Sequence, residues 1–169
     1  GIFISSASSG NSIKGNYIGT NAAGTADLGN TQAGINIAGP SNTIGGSNAG
    51  EGNVISGNNG GGISAAASAS VTVVQGNYIG TDRTGTITVG NTGAGVSLAC
   101  VNGIVGGNAA GERNIISGNS TNGIAISGTG TSVKGNYVGT DVTGTVDLGN
   151  AQVGINVTGT GNTIGGTVA

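Results

Sequence analysis

Histidine, methionine and tryptophan are absent from this 169-residue chain, and cysteine and proline occur once each. Only four basic and six acidic side chains are present. Each shortage removes a class of protein. A single cysteine, Cys100, leaves no intrachain disulfide. A formal charge of −2 offers no basic surface for nucleic acid through counterion release. No apolar run reaches the ~18 residues of a membrane-spanning helix, so membrane insertion is not expected. Without histidine, general acid–base catalysis would rest on a lone carboxylate. No cofactor is expected.

What the chain has in excess is glycine, 39 residues of it. The glycines follow no three-residue period, which excludes collagen. Hydrophobic residues make up 35% and are regularly placed, which argues against disorder. Glycine costs about 1 kcal/mol per residue in a helix interior, and no segment carries a 3.6-residue apolar stripe. Strands joined by tight glycine bends are what remains.

The phrase GNYIGT at residues 15–20 returns at 76–81 and, as GNYVGT, at 135–140. A long internal period of this kind decides architecture before any single motif does. A second phrase, Gly followed by alternating apolar residues, divides the chain into turns beginning at Gly1, Gly34, Gly62, Gly95, Gly123 and Gly154. Long turns (one, three and five) alternate with short ones, so two turns make one period of about 60 residues.

Each turn contains three short apolar segments, A, B and C. Segment A places pairs such as Ile2/Ile4, Ile35/Ile37 and Val96/Leu98 two apart, the period of a strand with one buried face. Segment B supplies the column Ile13, Ile44, Val74, Val105, Val133 and Ile164. Segment C supplies Ile18, Ile55, Ile79, Ile116 and Val138. Columns that hold their place from turn to turn describe a stack. The expected fold is an all-β, right-handed parallel β-helix of about six turns with three short strands per turn, forming one domain over residues 1–169 with an incomplete last turn. Turns at about 4.8 Å make a rod roughly 25–30 Å long, and the crossover rule sets the hand.

Two residues before the C-column aliphatics stand Asn16, Asn53, Asn77, Asn114 and Asn136. Alternation points them inward, where a stacked amide ladder satisfies groups that are costly to bury alone. They are expected to be structural.

The phrases GNYIGT, SNTIGG (41–46) and GNVISGN (52–58) resemble the repeats of right-handed parallel β-helix proteins of the pectate-lyase-like type, secreted or surface-attached in bacteria. The resemblance spans the whole chain. It implies the fold and an extracellular or cell-surface location, and leaves function open among lyases, epimerases, adhesins and stalks.

Candidate sites fall in the loops and on the outer face. Tyr17, Tyr78 and Tyr137 lie between the inward Asn and the inward aliphatic, so alternation points them outward. Val54 and Ile115 hold the same position in the intervening turns, making an outer stripe suited to a polysaccharide or a protein partner. The competing expectation is that each long loop folds back over its own tyrosine. Phe3 is outward and unrepeated. Asp27, Asp141 and Asp147 are the calcium candidates, since hard oxygen ligands suit that ion. Against them, Asp favours turns on its own account, and the calcium-binding GGxGxDxUx nonapeptide is missing. Asn119-Ser-Thr and Asn156-Val-Thr match the N-glycosylation pattern. Cys100 reads as a small filler.

Ala169 aligns with Ala49, so the chain reads as an excerpt of a longer solenoid or as a unit that stacks head to tail. The function expected is structural: an extracellular rod, stalk or filament subunit that self-associates. Carbohydrate binding through the tyrosine stripe is the alternative, and a polysaccharide lyase or epimerase the third.

Overall fold

The computed structural model describes residues 1–166 and shows a parallel β-solenoid of three sheets. Sheet A stacks Ile2–Ile4, Ile35–Ile37, Ile63–Ala65, Val96–Leu98, Ile124–Ile126 and Ile155–Val157. Sheet B stacks Ser12–Ile13, Thr43–Gly45, Val73–Gln75, Ile104–Gly106, Ser132–Lys134 and Thr163–Ile164. Sheet C stacks five strands, Tyr17–Ile18, Val54–Ile55, Tyr78–Ile79, Ile115–Ile116 and Tyr137–Val138. Five turns are therefore complete, and two strands of a sixth are in place. The alignment of Ala169 with Ala49 lies outside the described residues.

Every strand pairs in parallel with its equivalents one turn away, and the register reproduces the aliphatic columns. Ile2 lies beside Ile35, Ile13 beside Ile44 and Ile18 beside Ile55. These side chains share one continuous core, with Ile35, Ile44, Ile55, Ile79 and Ile116 fully excluded from solvent. Burying each such side chain is worth about 1.5–3 kcal/mol. At the corner entering sheet B one residue per turn has left-handed backbone: Gly10, Ser41, Val71, Asn102, Gly130 and Gly161. Val71, with φ 57°, is the costly member, because a β-branched side chain tolerates that region poorly.

Long and short turns differ in where they send their extra residues, and this governs the outer surface. Each long turn projects a small hairpin after sheet C, closed by an antiparallel bridge: Thr20 with Asp27, Thr81 with Thr88, Thr140 with Asp147. Each short turn instead inserts residues between sheets B and C, at 45–52 and 106–113. Both kinds of projection touch their counterpart two turns away. The Arg83 amide donates to the Gly24 carbonyl at 3.0 Å, and the Val142 amide to the Gly85 carbonyl at 2.9 Å. Gly111 of one short-turn insertion abuts the Ser47 carbonyl of the other. Two columns of loops thus run along the rod, each skipping alternate turns.

This corrects the stripe expected on the outer face. Val54 and Ile115 point away from the core as alternation requires, yet they are only 3% and 4% exposed. Their own turns carry no hairpin, but hairpins two turns apart meet across them. Ile115 lies in a recess walled by Val142 of the hairpin column and by Ala110 and Gly111 of the insertion column.

Candidate functional site: the tyrosine column and the polar ladders

The three tyrosines sit in register with Val54 and Ile115 on sheet C. They do not form an open stripe. Gly85, at the tip of the third turn's hairpin, lies so close that a Cβ there would stand 2.7 Å from the Tyr78 ring. Gly144 holds the same relation to Tyr137, at 3.1 Å. Each of these hairpins therefore lies against the tyrosine of its own turn, as the competing expectation had it. The Arg113 guanidinium stacks on Tyr137, 4.1 Å from the ring centroid, and its Nε donates to the Gly135 carbonyl. A half-buried cation–π contact of this kind is worth about 1 kcal/mol. Tyr78 and Tyr137 are half-buried, whereas Tyr17 keeps 46% of its surface exposed and Phe3 keeps 71%. The remaining recess, about 220 Å³, is lined by Tyr78, Ile115, Arg113 and Val142 with glycine backbone.

The acidic side chains are engaged in holding loops together. Asp82 is 2% exposed; its Oδ1 accepts the Thr86 and Ile87 amides and its Oδ2 accepts the Thr84 hydroxyl. Asp141 repeats this with Thr145, Val146 and Thr143. In the first hairpin the neutral Asn21 does the same work, taking the Thr25 and Ala26 amides. Burial pushes the carboxyls of Asp82 and Asp141 up, but the hydroxyl and amide hydrogen bonds outweigh it and hold both below the ordinary value. Asp27 and Asp147, the other calcium candidates, turn their Oδ1 atoms to the amides of Gly29 and Gly149. Among the described residues no three acidic, histidine or cysteine side chains converge.

Glu51 and Glu112 cap the short-turn insertions. Glu51 pairs with Lys14 at 2.9 Å and accepts the Asn48 amide, and these two partners lower its pKa. Glu112 accepts the Ala109 amide across a single 3-10 turn, Ala110–Glu112. The buried thiol of Cys100 is pushed up by desolvation and sits beside Thr72.

The expected asparagine ladder is present and continuous. Asn16 donates through Nδ2 to Asn53 Oδ1 at 3.0 Å, Asn53 to Asn77 at 2.9 Å, Asn77 to Asn114 at 3.0 Å and Asn114 to Asn136 at 2.8 Å. The same Oδ1 atoms accept the backbone amide of the preceding member. Each Nδ2 in the interior also reaches a backbone carbonyl in the turn before, as Asn77 does to Ile44.

A second ladder escaped the sequence reading. Asn30, Asn58, Asn91, Asn119 and Asn150 link through their side chains at the corner between sheets C and A. Its sign in the sequence is the Gly-Asn dipeptide at 29–30, 57–58, 90–91, 118–119 and 149–150. The spacing from the C-column aliphatic is twelve residues in long turns and three in short ones, because the hairpin intervenes. Asn119 is 1% exposed and belongs to this ladder, so it is no glycosylation acceptor; Asn156 is exposed.

Compared with known proteins, the chain matches no family model, no curated protein and no solved structure.

Proposed function

We propose that this chain is a structural segment of an extracellular or surface rod, a non-enzymatic stalk, spacer or filament unit of the β-helix type. The observation that supports this is the axial continuity of its interior. Aliphatic columns and two amide ladders run from the first turn to the fifth, and buried acids are committed to loop backbone. Carboxylates already holding amides and hydroxyls are poor catalytic bases, since removing them from those partners leaves buried donors unsatisfied. Self-association by stacking extends the same columns.

Electron microscopy of the purified chain, with an assay for eliminated uronate ends on acidic polysaccharides, tests the reading. Rods or filaments of constant width and no released ends are expected. Elimination that stops in the Asp141→Ala variant would overturn the structural role.

The second reading is carbohydrate binding, favoured by the exposure of Tyr17 on the outer face of sheet C. It requires that glycan-array binding occur and be lost in Tyr17→Ala.

A further inference from the structure

We infer that the hairpins of the long turns are straps that tie alternate turns together, making two turns the smallest unit in which this rod is built or opened. The inference rests on the fold alone and stands whether or not the rod acts as a spacer.

Hairpins two turns apart are already in contact. The Arg83 amide bonds the Gly24 carbonyl, and a Cβ built on Gly24 would lie 3.0 Å from Arg83 Cβ. The Val142 amide bonds the Gly85 carbonyl, and a Cβ on Gly85 would lie 2.9 Å from Val142 Cβ. A hairpin is therefore two rungs thick, about 9.6 Å at 4.8 Å per rung. One hairpin on every turn would not fit. The intervening short turn is held from both sides. The Ser56 amide donates to the Ile18 carbonyl of the turn before. Toward the turn that follows, Ser56 Oγ donates to the Thr81 carbonyl and accepts the Gly80 amide, and the Gly57 amide donates to the Val89 carbonyl. Ser117 repeats this with Thr140 and Gly139. Opening a short turn alone breaks these clasps and uncovers Val54 or Ile115. Opening a long turn alone breaks its bonds to the hairpins two turns away. Neither half of the period opens without exposing the other.

Two deletions test this. Removing residues 34–94 takes out one short and one long turn and joins Ala33 to Gly95, preserving the alternation. Removing residues 34–61 takes out one short turn and forces the hairpins at 20–28 and 81–89 into adjacent rungs. Thermal unfolding followed by circular dichroism should show one cooperative transition for the 34–94 deletion and none for the 34–61 deletion. Replacing residues 19–29 of the 34–61 deletion with Ser-Gly, the link between Ile55 and Asn58 in a short turn, should restore folding. A 34–61 deletion that melts within a few degrees of the full chain, or one the replacement does not rescue, overturns the strap. Pulling the intact chain from its ends supplies a measurement that needs no variant. Extension steps of about 60 residues, roughly 200 Å, are expected, and steps of half that length overturn the inference.

Discussion

Two corners of the coil carry unbroken amide ladders and the third does not. At the corner entering sheet B the equivalent residues are Asn11, Asn42, Thr72, Gly103, Thr131 and Asn162. Asn11 still donates to Asn42, and the Thr131 amide to Asn162, but the run lapses between them. Thr131 Oγ1 is buried without a partner, facing the place where Gly103 lacks a side chain. The connection through this corner spans seven to nine residues in every turn, counted from Ile4 to Ile13, Ile37 to Ile44 and onward. The two laddered corners are those where insertions leave the coil. Where connection length changes by no more than two residues, backbone pairing keeps the strands aligned and a gap is tolerated. Where the chain departs for several extra residues and returns, a side-chain column holds the register that the hydrophobic pattern alone leaves open to slippage.

Breaking an unbroken corner should have the largest effect. Asn77→Ala removes the acceptor of the Asn53 backbone amide and of one Asn53 Nδ2 hydrogen, and the donor to the Ile44 carbonyl, each loss costing about 1–3 kcal/mol in the interior. A loss of roughly 3–5 kcal/mol in denaturant unfolding is expected. A loss under about 1 kcal/mol would mean the ladder is incidental. Next comes the hairpin staple. Asp82→Ala unties two amides and a hydroxyl and should cost about 1–3 kcal/mol. Asp82→Asn should cost less, because Asn21 fills the same position in the first hairpin.

The same staples predict a pH dependence. Both carboxyls sit below their ordinary value when folded, so as pH falls the unfolded chain takes up protons first. Their contribution is complete above the unfolded value of about 3.9 and drains away as pH falls through the folded one. Acid unfolding should show this loss, and the double variant Asp82→Asn/Asp141→Asn should flatten the profile. The smallest effect belongs to the broken corner. Thr131→Val replaces an orphaned hydroxyl with a methyl and should be neutral or stabilising by up to about 1 kcal/mol, read as a shift in melting temperature. A clear loss there would show that the third corner is polar by need.

The architecture was legible because stacking repeats the same physics at every turn. Ile18, Ile55 and Ile79 announce a column without any knowledge of what surrounds it. The first ladder was legible for the same reason, as Asn always stands two residues before that aliphatic. The second was not, since a hairpin separates Ile18 from Asn30 while Ile55 stands three residues from Asn58. Val54 and Ile115 were misread for a different cause. Alternation tells which way a side chain points, and here the covering atoms belong to hairpins on the turns above and below.

The ladders also give the rod an electrical direction. In both of them each side-chain amide donates toward the turn that follows and accepts from the turn before. The small dipoles of these amides are aligned head to tail and polarise one another, as peptide units do along a helix. Two such dipole columns side by side have the lower electrostatic energy when they point in opposite senses.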